Sequence, residues 1–395
     1  MVENRHYTEL GSTSGIYLHV PFCKFKCPYC DFYSIESGDG DKSLRTNFVQ
    51  SLLKEIESTQ ENLTEVATIF FGGGTPSILK GSEMESIFFG LRDKFNIRSD
   101  AEITVEVNPG EVDLERLTSY YDSGVNRLSI GAQSFQIEEL KTLGRIHSPE
   151  ETAETVSIAK TAGFTNYNLD LIYAVPGQTV DSLIDNVRSV IALKPNHISV
   201  YSLTYEKNTP YYSMRENGNL IPIEGKLEEE MRNSILFLLK EEGYHRYEIS
   251  NYSLDGYESQ HNSSYWRGKS YVGFGPSAHS FDGKRRWWNV RDVNQYIKKI
   301  DSGESPVAGS EELNKEQLMF EQLFLALRTS YGLEISSFEK EFNLKFSDHY
   351  KSQLERIEGL SVSQNKELIT WDNDRLSLTE KGLLFADEIS ELFAP

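Results

Sequence analysis

Residues 21–32 read PFCKFKCPYCDF, and this stretch contains every cysteine of the 395-residue chain. An odd number of cysteines cannot close a disulfide framework, and cysteines used for packing would be spread along the sequence. Cys23, Cys27 and Cys30 have three and two residues between them, so a single loop can bring their sulfurs to one metal centre. The stretch therefore predicts a metal site rather than disulfides.

The number of thiolates indicates which kind of metal site this is. A structural zinc ion needs a fourth Cys or His close by, and the sequence has none there. A [4Fe–4S] cluster usually takes four thiolates, so three would leave one iron open to an outside ligand. We therefore predict a [4Fe–4S] cluster held by Cys23, Cys27 and Cys30. An incomplete zinc knuckle or a fortuitous grouping is the alternative.

Short β-branched and aromatic runs alternate with amphipathic stretches through the first half of the chain. Leu44, Phe48 and Leu52 recur every four residues, a spacing typical of a helix. Strands and helices that alternate in this way indicate parallel βα units. Six strands are too few for a closed eight-stranded barrel. The predicted strands are 16–20, 68–71, 102–107, 127–131, 166–172 and 197–201.

The pattern changes after about residue 210. A long helix is predicted over 225–243, an aromatic-rich segment without a clear period follows over 244–290, and the chain is helical and charged from residue 315. The expected organisation is a disordered segment over 1–14, a barrel over 15–210, a barrel extension over 211–308, and a helical or winged-helix-like C-terminal domain over 309–395.

Composition excludes several classes of partner. The net charge is −20 and the pI is near 4.9, and no basic stripe is present, so we expect no nucleic-acid partner. No apolar run approaches the roughly 20 residues needed to cross a bilayer, and no signal peptide is apparent. We therefore expect a cytoplasmic protein, a compartment that keeps thiols reduced. Peripheral membrane contact through a local patch stays open.

Polar and glycine residues cluster where predicted strands end. The run 72–76 (GGGTP) follows the second strand, Glu106 and Asn108 end the third, Gln133 follows the fourth, and Asp170 lies late in the fifth. Ligands of parallel α/β folds bind at the carboxyl ends of strands, so these residues should meet the cysteine loop. Each is ambiguous alone, since a glycine run is commonly a turn and a carboxylate can cap a neighbouring helix.

The spacing CxxxCxxC after an apolar strand resembles the signature of the radical S-adenosylmethionine (SAM) superfamily. This resemblance implies a partial (β/α)₆ TIM-like barrel with a smaller, mainly helical C-terminal domain. It also implies that SAM binds the open iron of the cluster and is cleaved reductively. Gly73, Gly74 and Thr75 resemble the glycine motif that hydrogen-bonds the amino group of the methionyl part of SAM.

Three more segments resemble the oxygen-independent coproporphyrinogen III oxidase-like family of this superfamily. They are VEVNP at 105–109, SIGAQS at 129–134 and DLIY at 170–173. Without the resemblance, Arg145 would be interpreted as part of an ordinary surface ion pair, and Tyr17 and Tyr29 as core residues. The resemblance implies these SAM contacts: Tyr17, Tyr29, Glu106, Gln133, Arg145 and Asp170.

The family divides into a decarboxylating branch and a heme chaperone branch, and two features separate them here. Decarboxylating enzymes resemble one another in the string CxxxCxxCxC and have a longer N-terminal extension, whereas this chain has Phe32 at the last position and 22 residues before Cys23. The string HNSSYW at 261–266 closely resembles the heme chaperone branch. That branch implies heme as a cofactor, a heme-binding region over 211–308 with His261 as the ligand, and delivery to heme-accepting respiratory proteins at the membrane surface.

Several alternatives stay open from the sequence. His279 is the competing heme ligand, and Trp287 and Trp288 beside Arg285 and Arg286 either flank the heme propionates or belong to core and surface. The rival functions are a coproporphyrinogen decarboxylase, a radical SAM enzyme with another substrate, and a SAM-binding relic that only contacts proteins. We expect a chaperone, assign no catalytic residue, and regard a homodimer as compatible with the sequence.

Overall fold

A computed structural model describes residues 13–37, 42–61, 63–364 and 367–395 of the chain. The segment predicted as disordered over 1–14 lies outside the described residues, except that residues 13 and 14 already belong to the first strand. No helix among the described residues has the length and apolar character to cross a membrane.

The described residues between 13 and 312 build one large sheet and the helices that pack against it. Its strands and a small two-stranded ladder are β1 (Thr13–Val20), β2 (Phe22–Cys23), β3 (Ile35–Glu36), β4 (Glu65–Gly73), β5 (Ile97–Val107), β6 (Arg127–Gln133), β7 (Tyr167–Tyr173), β8 (His197–Ser202), β9 (His245–Arg246), β10 (Asn251–Ser253), β11 (Tyr271–Phe274), β12 (His279–Phe281), β13 (Arg285–Asn289) and β14 (Val307–Glu312). The helices are α1 (Lys42–Ser58), α2 (Gly81–Lys94), α3 (Leu114–Ser123), α4 (Ile137–Thr142), α5 (Pro149–Thr161), α6 (Val180–Ala192), α7 (Pro210–Glu216), α8 (Lys226–Glu241), α9 (Gln260–Trp266) and α10 (Val293–Asp301).

The centre of the sheet has the strand order β1-β4-β5-β6-β7-β8, and all of these neighbours are parallel. Each corresponds to one predicted strand. The crossover helices begin at side-chain caps such as Ser148 on α5 and Thr179 on α6, which accept hydrogen bonds from free backbone N–H groups. The predicted α/β partial barrel is confirmed as an open sheet.

Both edges of this centre are extended by later parts of the chain. The antiparallel strands β10 and β9 follow β8, while β11 pairs in parallel with β1 and leads to antiparallel β12, β13 and β14. We call the strands β11 to β14 the wing. Residues 309–312, which the sequence prediction assigned to the C-terminal domain, lie in β14 and therefore in the large sheet.

The C-terminal region has its own apolar core, which includes Leu323, Phe338, Phe346 and Ile357. It is mainly helical, with a small sheet of order β15-β17-β16. Its elements are α11 (Lys315–Ala326), β15 (Leu333–Glu334), α12 (Ile335–Phe342), α13 (Phe346–His349), α14 (Lys351–Gln364), β16 (Ile369–Asp372), β17 (Arg375–Leu378) and α15 (Ala386–Glu391). This helical region agrees with the predicted fold class.

Candidate functional site

The cysteine loop is closed at its base by backbone hydrogen bonds. Ile35 N–H donates to the Pro21 carbonyl at 2.8 Å and Ser37 N–H donates to the Cys23 carbonyl at 2.9 Å, which joins β2 to β3. Inside the loop, Cys30 N–H donates to the Cys27 carbonyl at 3.2 Å. The loop therefore starts and returns at one point, directly after β1.

The three thiols lie near enough to affect one another's ionisation. Burial raises the pKa of Cys30 to about 11, and the neighbouring Cys27 and Cys23 thiols contribute to that rise. Burial likewise raises the pKa of Cys23, with Cys27 adding to it. Iron would have to displace these protons, as metal ions do when thiolates bind them. The three free thiols of one loop fit a [4Fe–4S] cluster.

No three His, Cys, Asp or Glu side chains among the described residues are arranged to hold a single metal ion. In a cubane cluster each thiolate binds a different iron, so its protein sulfurs need not meet at one point.

The glycine run lies against the strand that leads into the cysteine loop. Gly74 N–H donates to the Val20 carbonyl at 2.8 Å and Thr75 N–H to the Phe22 carbonyl at 2.7 Å. Gly73 has a φ of 107°, and a Cβ there would meet the His19 ring at 2.7 Å, so only glycine fits. The backbone N–H groups of Gly74 and Thr75 thus already form hydrogen bonds within the chain and are not free to bind a ligand. An ammonium group of a ligand would bind the carbonyl oxygens of this run, because an ammonium only donates.

Arg145 is tied into the site and is not a surface ion pair. Its Nη2 donates to Asn108 Oδ1 at 2.7 Å and to the Gly131 carbonyl at 3.0 Å, and its Nη1 lies 3.7 Å from Cys27 Sγ. Asn108 in turn donates to Thr75 Oγ1 at 3.0 Å. The sequence prediction missed this role of Asn108, although its place at the end of a strand was a signal.

Two carboxylates, Glu106 of β5 and Asp170 of β7, lie on the inner surface of the barrel with β6 between them. Burial and the nearby Asp170 carboxylate raise the pKa of Glu106 to about 8. Burial also raises the pKa of Asp170, against hydrogen bonds from Ser199, Asn168 and Ser129. Within the described residues neither carboxyl forms an ion pair, although the more distant Arg127 guanidinium acts to lower the pKa of Asp170. The pair is therefore prepared for a cationic ligand.

Tyr17 joins this inner surface to the cysteine loop through His19, which the sequence prediction missed. Burial lowers the pKa of His19 to about 4, so the ring is neutral. Its Nε2 lies 2.8 Å from the Tyr33 carbonyl, which can only accept, so Nδ1 accepts from the Tyr17 hydroxyl at 3.1 Å. This chain holds the Tyr17 ring beside Gly72, where a Cβ would also approach Glu106.

The remaining predicted SAM contacts lie at the same end of the strands. Tyr29 packs against Tyr211 at 6.4 Å between ring centroids, and burial together with the Cys27 thiol raises its pKa. Gln133 ends β6 with a φ of 63°, at an irregularity in the pairing with β7. Most predicted SAM residues therefore lie at the carboxyl ends of the strands or in the loops beyond them, whereas Tyr17 and Asp170 lie in the middle of β1 and β7. Their contact with SAM stays a prediction.

His261 lies near the other end of the barrel. It belongs to α9 and is 1% exposed. Its Nδ1 is 2.8 Å from Thr68 Oγ1, its Nε2 is 2.8 Å from the Tyr265 hydroxyl, and its ring stacks on Phe70 at 5.2 Å. The Glu102 carboxylate accepts from the backbone N–H of His261 at 3.0 Å and so fixes the start of α9. The predicted heme ligation by His261 stays untested, and it would require the ring to leave one of these partners.

His261→Ala should lower the free energy of unfolding by about 2–4 kcal/mol, because it leaves a cavity and two buried hydroxyls without a partner. Urea unfolding followed by circular dichroism measures this change. His349→Ala is the matched control, since that histidine is exposed and should shift stability by less than about 0.5 kcal/mol. Equal stability of both variants would contradict the assignment of His261 to the barrel interior.

Comparison with known proteins gives the family. Residues 17–190 match the radical SAM superfamily and residues 313–385 match the HemN C-terminal domain. A solved structure of coproporphyrinogen III oxidase (HemN) from Escherichia coli shares the fold with a TM-score of 0.84 at 23% identity, over 96% of this chain and 90% of that one.

The chain is also similar along its whole length to proteins named heme chaperone HemW. The identity is 33% with the protein of Lactococcus lactis subsp. lactis (strain IL1403), over 97% of this chain and 98% of the relative. It is 33% with that of Bacillus subtilis (strain 168), over 95% and 98%, and 41% with that of Escherichia coli (strain K12), over 67% and 69%. The chain therefore belongs to the radical SAM superfamily, in the HemW branch of the coproporphyrinogen oxidase-like family.

Proposed function

We propose that this protein is a heme chaperone that binds a [4Fe–4S] cluster, SAM and heme and delivers the heme to acceptor proteins. The observation that carries the proposal is the similarity to HemW proteins at 33% identity over nearly the full length of both chains. Phe32 supports it, because it stands where the decarboxylating enzymes have a further cysteine and its side chain is 67% exposed.

Cys23, Cys27 and Cys30 would hold the cluster, which supplies an open iron and an electron for SAM when it is bound. The arrangement of charges around them suits SAM. Glu106 and Asp170 offer negative charge to its sulfonium and ammonium groups, while Arg145 offers a charge-assisted hydrogen bond to its carboxylate. Tyr17, held by His19, and Tyr29 would border the ligand on two sides.

Delivery is the part of the proposal that rests on the family alone. We infer respiratory-chain proteins at the membrane surface as acceptors and the cytoplasm as the location. A homodimer would be compatible with this role. Transfer can be tested by mixing the heme-loaded chain with membrane vesicles that contain an apo-cytochrome and following the visible spectrum of the cytochrome.

The whole proposal is tested by anaerobic reconstitution of the full chain with iron and sulfide, followed by titration with SAM and with heme on one preparation. Binding of all three groups without turnover of coproporphyrinogen III is the expected result. Conversion of coproporphyrinogen III to protoporphyrinogen with SAM and a reductant would instead assign the chain to the decarboxylases. Failure to bind heme would remove the chaperone function.

Cys27→Ala should abolish the visible absorbance of the reconstituted cluster, because one iron loses its protein ligand. Iron and sulfide analysis of the same sample should show a matching loss. Phe32→Ala is the matched control in the same loop and should keep full cluster content. An unchanged cluster in Cys27→Ala would refute the assignment of the three thiolates.

SAM should bind more tightly as the pH rises, because a cation favours the ionised form of Glu106, whose pKa is raised to about 8. Below that pKa one proton leaves for each SAM bound, so the affinity should increase by roughly tenfold from pH 6.5 to 7.5. Isothermal titration in buffers of different ionisation enthalpy measures both the affinity and the proton release. The nearby Asp170 has a raised pKa as well and acts in the same direction.

Glu106→Gln should weaken SAM binding at pH 7.5 and remove most of this pH dependence. Glu138→Gln, a change at an exposed glutamate in α4, should keep both properties of the unaltered chain. An affinity that stays flat between pH 6.5 and 7.5 in the unaltered chain would mean that Glu106 does not face the cation.

A further inference from the structure

The inner face of the wing continues the surface on which SAM is expected. Tyr17 of β1 is the partner of Gly273 in β11, Tyr271 is the partner of Phe281 in β12, and Phe281 is the partner of Arg286 in β13. Cross-strand partners share a face of a sheet, as do residues two apart in a strand. These side chains therefore lie on the face that carries Tyr17 and Glu106.

His279 and Trp288 form the next row on that face. They are cross-strand partners in β12 and β13, and their rings stack at 6.0 Å with 28° between the planes. The indole lies on Gly309 of β14, where a Cβ would come within 2.6 Å of it, so a larger residue would displace the ring. His279 lies two strands from Tyr17, which is about 10 Å across a sheet.

His279 differs from His261 in what its ring can do. The His279 side chain is exposed, and neither ring nitrogen has a hydrogen-bond partner within the described parts of the chain. Burial and the Arg286 guanidinium lower the pKa of His279, which keeps the imidazole neutral at physiological pH. A neutral imidazole with an unoccupied nitrogen is the form that binds iron.

The position of His279 is fixed by a buried carboxylate beneath the wing. Glu55 of α1 accepts from Gly275 N–H at 2.8 Å, from Asn289 Nδ2 at 2.6 Å and from the Tyr296 hydroxyl at 2.6 Å. These bonds hold the turn between β11 and β12, and Ser277 N–H adds a bond to the Val290 carbonyl at 2.9 Å. The exposed imidazole is thus carried by a rigid backbone, as a preformed ligand site requires.

Cationic groups border the same face. Arg286 is engaged with Glu311 and, through two bonds of 2.9 Å, with Glu321 of α11. Arg291 lies over the Tyr33 ring at 5.7 Å, next to the cysteine loop, and has no ion pair within the residues that the structure describes. Its guanidinium can therefore pair with a carboxylate of a ligand.

We propose that heme binds on the inner face of the wing, where His279 would hold the iron, Trp288 would contact the porphyrin beside the imidazole and Arg291 would pair with a propionate. Heme is a flat apolar ring with a metal at its centre and two carboxylates at one edge. The wing offers an imidazole and aromatic side chains, and Arg291, which follows β13, lies over the Tyr33 ring that stacks on His19 of β1. This inference rests on the proposed chaperone function and names its binding site.

The test compares the anaerobically reconstituted full chain with four variants, using ferric heme as the probe. His279→Ala should weaken heme binding by about tenfold or more and shift the Soret band, since an axial ligand is lost. Added imidazole should restore the Soret position of this variant. His349→Ala, a change at an exposed histidine of the C-terminal region, should bind heme as the unaltered chain does.

His261→Ala separates the two histidine assignments. If the His279 assignment is correct, this variant is less stable but keeps the Soret position of the unaltered chain. If it loses the heme spectrum while His279→Ala keeps it, the wing is not the heme site. Circular dichroism, cluster content and SAM binding, measured on each variant, exclude a general loss of folding.

Two other outcomes are distinguishable. Heme binding that survives in both histidine variants would overturn the inference and leave the chaperone function in place. No heme binding by the unaltered chain would overturn the proposed function itself. Trp288→Ala is a second check, because it should weaken heme binding while the iron keeps its histidine ligand and the Soret position stays unchanged.

Discussion

Two backbone hydrogen bonds, from Gly74 to Val20 and from Thr75 to Phe22, fasten the glycine run of β4 to the residues that precede the cysteine loop. They continue the parallel pairing of β1 with β4 past the last regular residue of each strand. Asn108 forms hydrogen bonds with Thr75 and with Arg145. The end of β5 and the loop after α4 are therefore joined at the same point. The Cys27 thiol and the Arg145 guanidinium thus meet at the carboxyl edge of the sheet, and Glu106 lies near the same end of β5.

The two ends of the barrel have different tasks. At the amino-terminal end, His261 and Tyr265 fill the interior beside Thr68 and Phe70, and Glu102 anchors α9. These side chains find their hydrogen-bond partners in each other, as buried polar groups must. At the carboxyl end, some charged and aromatic side chains have hydrogen-bonding groups that no other described residue occupies. A motif that stands out in the sequence, such as HNSSYW at 261–266, therefore does not show at which end of the barrel a ligand binds.

The six central strands were predictable because each is buried on both faces and reads as a short apolar run. The positions of the glycine run, Glu106 and Gln133 at the carboxyl ends of these strands followed from that. The pairing of β11 with β1 was not predictable, because its partners lie more than 250 residues apart in the chain. The environment of His261 was hidden for the same reason, since Thr68 is 193 residues away.

The bidentate contact between Arg286 of β13 and Glu321 of α11 ties the wing to the C-terminal region. A guanidinium has a limited number of donors, so any acid that occupies it on the wing competes with Glu321. Binding of an acidic ligand to Arg286 on the inner face and the contact of Arg286 with α11 would therefore weaken each other.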